Sequence, residues 1–125
     1  MSPTPSRIVR WAPAVLWMAV IFILSAQPGL AVSHDPAVEL PIRRVAHASV
    51  FALLTLLIAY AVRAGQAHRR LLAAGVLAAI YGLTDELHQA TVPTRYFELE
   101  DIAFDSLGAV AAVMSVLVVG RLVRR

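Results

Sequence analysis

The chain has 125 residues, a hydrophobic fraction of 59%, charged residues at only 15% and a mean hydropathy of +0.72. Soluble domains run at about 45–50% apolar and about 25% charged, and a domain of this size hides only about two-thirds of its unfolded surface, so a water-soluble globule is excluded. The lack of cysteine excludes a disulfide scaffold, thiol catalysis and thiolate-bound metal, and the net charge of +3 comes from arginines at the edges of apolar runs rather than from a continuous patch, which argues against a nucleic-acid partner.

The composition leaves a small, all-α integral membrane protein, read as one domain over 1–125 with four spans of about 20 residues each. The first apolar run is Trp11 to Leu24, and Pro28-Gly29 stops its helix. A cleaved signal peptide has similar flanks, but its cleavage site wants small residues without a nearby proline, so a retained helix is expected over about 11–27. Pro13 is placed in its first turn, where a missing N–H costs little. The segment Gln27 to Arg44 carries Pro28, Pro36 and Pro41 and reads as a loop. The second span is expected over 45–62, with His47 in its first turn.

Arg63 to Arg70 reads as a short basic loop. The third run is purely apolar only from Leu71 to Leu83, too short to span alone. It becomes long enough if Asp85, Glu86, His88 and Gln89 continue the helix, giving a span of about 71–92 that Pro93 ends. The fourth span is expected over 102–119, interrupted by Asp105. His34 and His68 read as solvated loop residues, as do Glu98 and Glu100 at the interface.

Arginine placement predicts orientation. With the N-terminus cytoplasmic, the inside segments hold eight arginines (7, 10, 63, 69, 70, 121, 124 and 125) and the outside loops hold three (43, 44 and 95). The expectation is a four-helix bundle in the bacterial cytoplasmic membrane, both termini inside, with Asp35 and Glu98 outside. Ser25, Gln27, Arg43, Arg44, His47, Asp85, Glu86, His88, Gln89, Arg95, Asp101 and Asp105 then gather near the outer face. A charge at the centre of a span costs at least about 2.5 kcal/mol, and short aspartates cannot snorkel far, so a one-sided cluster marks a site.

Helical spacing sharpens the cluster. Asp85, His88 and Gln89 share one face, with Tyr81 one turn below and Glu86 turned off it towards a loop. Asp101, Asp105 and Gly108 form a second stripe, and Arg44, His47, Phe51 and Leu54 a third. The stripes neutralise one another if Arg44 or Arg95 pairs with Asp85 or Asp105, and Arg44, His47, Asp85, His88 and Asp105 are expected to converge.

At these residues the chain resembles the VanZ-like family of bacterial membrane proteins. The resemblance rests on Tyr81-Gly-Leu-Thr-Asp85-Glu86-Leu-His88-Gln89, Pro93, Arg95 and Asp101-Ile-Ala-Phe-Asp105-Ser-Leu-Gly108, with Ser25-Ala-Gln27-Pro28 and Arg44-Val-Ala-His47. It covers about 13–119. The family usually has lysine at the place of Arg44, tyrosine at Phe51, glycine at Thr94 and asparagine at Asp105. The family is named for an accessory protein of teicoplanin resistance, which implies a role at the outer leaflet or cell wall without implying a reaction.

Three functions compete at this stage. One is a binding site for an anionic envelope ligand, such as a lipid-linked phosphate or wall precursor, using Gln27, Arg44, His47, Asp85, Glu86, His88, Gln89, Arg95, Asp101 and Asp105, with Arg43 suited to phosphate as well. Another is a hydrolase or transferase with His47, Asp85 or His88 as catalytic candidates and Ser25, Thr84 or Ser106 as nucleophiles, although no triad motif singles one out. The third is a structural module in which the cluster clamps helices together. No cofactor is expected. A metal on Asp85, His88 and Asp105 has suitable i, i+3 spacing but must compete with arginines for the carboxylates. Gly75-x-x-x-Ala79 and Gly108-x-x-x-Ala112 read as close helix contacts within the chain first, and as a homo-oligomer seam second.

Overall fold

In a computed structural model, which describes residues 5–63 and 65–124, the chain forms four helices: α1 Arg7–Ser25, α2 Pro36–Ala61, α3 Ala67–Gln89 and α4 Leu99–Val123. Arg125, the last residue of the basic tail, lies outside the described residues. All four helices are long and apolar enough to cross a membrane, and among the described residues there is no strand. Large side chains such as Leu16 and Leu72 are about two-thirds exposed (67% and 65%), which water would not tolerate along whole helices and lipid accommodates.

The helix starts differ from the sequence reading for local reasons. Ser6 caps α1, its hydroxyl accepting from the Val9 N–H, so the helix begins before Trp11 and Pro13 falls in the second turn. The 27–44 segment is not all loop. Asp35 accepts from the Ala37 N–H, Pro36 occupies the first helical position, and the Glu39 carboxylate takes the N–H groups of Val32 and Ser33. Together these start α2 at Pro36, and Pro41 lies near enough to the start for the helix to continue. At 26 residues α2 is roughly 39 Å long against about 30 Å of hydrocarbon, longer than an upright span needs. α3 starts at Ala67, which places His68, Arg69 and Arg70 in its first turn rather than in a loop.

α2 packs on all three other helices, α4 on α2 and α3, and α1 on α2 and more lightly on α3. The core is built from small and aliphatic side chains, among them Ala14, Leu54, Ala74, Ala78 and Ala109, with Phe51 buried at the centre. Close approach replaces bulk. An added Cβ at Gly108 would stand 2.0 Å from the Ala48 carbonyl oxygen, so the α2–α4 crossing requires glycine there. A Cβ at Gly75 would stand 3.4 Å from Val113, at the near edge of ordinary contact. Two aromatic donors fasten α1: the Trp17 indole donates to the Val50 carbonyl at 3.0 Å and the Tyr81 hydroxyl to the Met18 carbonyl at 2.7 Å.

Candidate functional site

Charge is divided between the ends of the bundle. All eight acids of the sequence (35, 39, 85, 86, 98, 100, 101 and 105) belong to the end formed by the close of α1, the start of α2, the close of α3 and the start of α4. Only Arg43, Arg44 and Arg95 join them, while the opposite end carries arginines and no acid.

Four carboxyl groups at the acidic end are buried: Asp85, Glu86, Asp101 and Asp105. Asp85 Oδ2 accepts from the Ser25 hydroxyl at 2.8 Å and from the Gln89 amide at 2.9 Å, linking α1 to α3. Asp105 Oδ1 lies 2.7 Å from His47 Nδ1, and Asp101 lies 3.5 Å from the other ring nitrogen, so α4 grips His47 of α2 from two sides. Asp101 also binds Arg43, which meets Glu98 at 2.8 Å. Glu86, fully buried, accepts from the Glu98 N–H at 2.9 Å and fixes the α3–α4 loop. Arg95 in that loop donates through Nη1 to the carbonyls of Leu24, Ser25 and Gln27, capping α1 as a cation suits a helix C-terminus. Thr94, just before it, takes a left-handed φ of 68°. That conformation strains a β-branched residue and suits glycine.

Two connected hollows open here. An outer one of about 360 Å³ lies under the α1–α2 loop and is lined by Arg43, His47, Gln89, Arg95 and Glu98 with Leu30. A deeper one of about 140 Å³ is lined by Ser25, His47, Asp85, Gln89 and Arg95 on one side and by Ile21, Val50 and Phe51 on the other. His47, Gln89 and Arg95 border both. The Oδ1 of Asp85, the Oε1 of Glu86 and the Oδ2 of Asp105 are buried oxygens with no partner among the described residues. Buried acceptors of this kind are costly unless something donates to them.

The expected cluster assembles in part. His47, Asp85, Gln89 and Arg95 line the hollows, and Glu86, Asp101 and Asp105 stand behind them as partners of the loop, Arg43 and His47. Arg44 does not converge. It pairs with Glu100 and lies over the Phe104 ring, 5.6 Å from its centroid. Its neighbour Arg43, one residue and about 100° round the helix, takes the inward place. His88 also turns away, its ring stacked on Phe22 with centroids 4.1 Å apart. The Gln27 side chain is exposed and bonds back to the Ile23 carbonyl. Neither Arg44 nor Arg95 pairs with Asp85 or Asp105. Glu98 and Glu100, read as solvated, are both in ion pairs.

Among the described residues no group of three His, Asp or Glu side chains is placed to hold a metal, so Asp85, His88 and Asp105 do not form one site. Nor does a hydrogen bond join Ser25, Thr84 or Ser106 to a histidine among the described residues. Ser25 donates to Asp85, and Thr84 bonds back to the Tyr81 carbonyl. Comparison with curated proteins and with solved structures gives no match. The sequence does match the VanZ/LLP1 family over residues 10–120, nearly the whole chain, and this four-helix membrane protein therefore belongs to that family.

Proposed function

We propose that the double hollow binds the headgroup of an anionic cell-envelope amphiphile, such as a lipid-linked phosphate or wall precursor. The observation that carries this reading is the lining. Arg43 and Arg95 suit phosphate, while Asp85 and Glu98 suit the hydroxyl or amide groups of a sugar-like portion. The exposed apolar residues Leu24, Leu30 and Ala46 share the rim between α1 and α2, where a lipid tail would leave the chamber. Asp85 lines the deeper hollow, and its buried Oδ1, without a partner among the described residues, supports a ligand that donates a hydrogen bond. The family's association with teicoplanin resistance supports an envelope ligand. The test is tryptophan fluorescence of the purified protein titrated with polyprenyl phosphate and with the uncharged polyprenol of the same length. The phosphate lipid should bind at least about tenfold more tightly, since charge-assisted hydrogen bonds carry about 1.5–3 kcal/mol. Equal affinity would refute an anion-reading site.

In this proposal the acidic end faces outward from the bacterial cytoplasmic membrane and both termini face the cytoplasm, as the eight-to-three arginine division favours. The chain has no cysteine, so single cysteines at the exposed positions His34, His68 and Thr91 are clean reporters. An impermeant thiol reagent on intact cells should label 34 and 91 and spare 68. The opposite pattern would invert the orientation.

A further inference from the structure

The arginine-rich end holds a separate hollow, of about 510 Å³, where the close of α2, the start of α3 and α4 meet. Tyr60, Arg63 and Arg70 border it, with the Arg63 guanidinium 5.7 Å from the Tyr60 ring centroid. The Nε of Arg70 is buried without a partner among the described residues. No aspartate or glutamate lies at this end of the bundle, so no carboxylate side chain is at hand to neutralise the two arginines. From the same place an apolar groove of about 550 Å³ runs between α2 and α4, bordered by Ala52, Ala112 and Ser115. Leu56 and Val116 line both the hollow and the groove. The Ser115 hydroxyl donates to the Ala111 carbonyl, so the groove offers a tail no free donor there.

The dimensions fit one kind of molecule. From Ala52 to Ala61, where α2 ends two residues before Arg63, the helix rises roughly 14 Å, about half of a 30 Å hydrocarbon layer and so one leaflet. The cations stand at the end of the bundle and the groove runs from them towards its middle. We infer that this is a binding site for a phospholipid with an anionic headgroup, its phosphate between Arg63 and Arg70 and an acyl chain along the α2–α4 groove. The site lies at the opposite end from the headgroup chamber and does not depend on what that chamber binds. The missing anion of the arginine pair would then be supplied by the membrane.

Each arginine near an anionic surface contributes about fivefold in binding, so the pair predicts roughly 25-fold selection. Full-length protein in detergent is given equal amounts of phosphatidylglycerol and phosphatidylcholine with identical acyl chains, and retained lipid is counted by native mass spectrometry. Wild type should keep phosphatidylglycerol by about that factor. The double variant R63Q/R70Q should level the two lipids, while R121Q/R124Q, which changes arginines outside the hollow, should leave the preference intact. Ser115→Phe keeps both arginines, fills the groove and should lower retention of either lipid. Equal retention in wild type would overturn the site, as would a preference that survives R63Q/R70Q or falls equally in R121Q/R124Q. Undiminished lipid in Ser115→Phe would remove the groove from the proposal even if R63Q/R70Q does not fold. Displacement of the lipid by excess glycerol 3-phosphate would show a site for the free anion and also overturn it.

Discussion

Gly108→Ala should destabilise the protein by about 3 kcal/mol or more. Overpacking usually costs about 1–3 kcal/mol because side chains rotate to make room. Here the atom in the way is the backbone carbonyl oxygen of Ala48, 2.0 Å from the new Cβ, and a helix carbonyl has no rotamer to escape into. The two helices would have to part. That separation would pass directly to the site, because Ala48 follows His47 and Gly108 lies one turn below Asp105. Gly120→Ala is the matched control: nothing lies within 4 Å of its added Cβ, and alanine in place of a helical glycine gains up to about 1 kcal/mol. Thermal unfolding in detergent should show a large fall for Gly108→Ala and no fall for Gly120→Ala. Equal melting temperatures would contradict the close α2–α4 crossing.

Asp105→Ala has the second large effect expected, a loss of about 3–5 kcal/mol. Asp105 is 1% exposed and holds His47 Nδ1 at 2.7 Å. Removing one member of a buried hydrogen-bonded pair strands the other, and that loss outweighs the intrinsic worth of the pair. Asp101 is already committed to Arg43 and stands 3.5 Å from the opposite ring nitrogen, so it cannot take over the Nδ1 bond. Asp105→Asn should behave differently. It keeps a carbonyl oxygen for the His47 N–H and removes a charge from a crowd of buried acids, so the expected cost is about 1 kcal/mol. Chemical denaturation of the three proteins separates the cases. A loss for Asp105→Asn as large as for Asp105→Ala would mean that the negative charge, rather than the hydrogen bond, secures His47.

The four spans were legible because the apolar runs are long and the breakers between them strong: Pro28-Gly29, Gly65 and Pro93 each fall in a connection. The start of α2 differs from the sequence expectation because Pro36 and Pro41 sit in its first turns, where proline is compatible with a helix. Asp35-Pro36 followed by Glu39 is a capping signal, and it was open to view in the sequence. The gathering of acids at one end followed from topology alone. Side-chain choice within that cluster did not. Arg43 and Arg44 differ by about 100° of helix rotation, and the rotation is set by where Gly108 lets α4 approach Ala48, a contact between residues 60 positions apart. His88 sits on the same helical face as Asp85, yet it stacks on Phe22, a residue outside the polar stripes. The deep chamber was equally hidden, since it depends on α1 being held to α2 and α3 by Trp17 and Tyr81.

Asp85→Asn tests the headgroup-binding account most directly. Among the described residues no cation pairs with Asp85, and its Oδ2 accepts only from Ser25 and Gln89. An asparagine oxygen can accept the same two bonds, so no buried charge is stranded and the melting temperature should barely change. The unpartnered Oδ1, however, becomes an amide donor, and a ligand hydroxyl or amide that donated to it loses a charge-assisted bond. The measurement is paired: melting temperature, and affinity for a polyprenyl-phosphate lipid carrying a sugar headgroup, for wild type and Asp85→Asn. The account predicts at least about a tenfold loss of affinity with an almost unchanged melting temperature. A melting temperature that collapses together with the affinity, or an affinity equal to wild type, would contradict it and leave the buried acids as a clamp between helices.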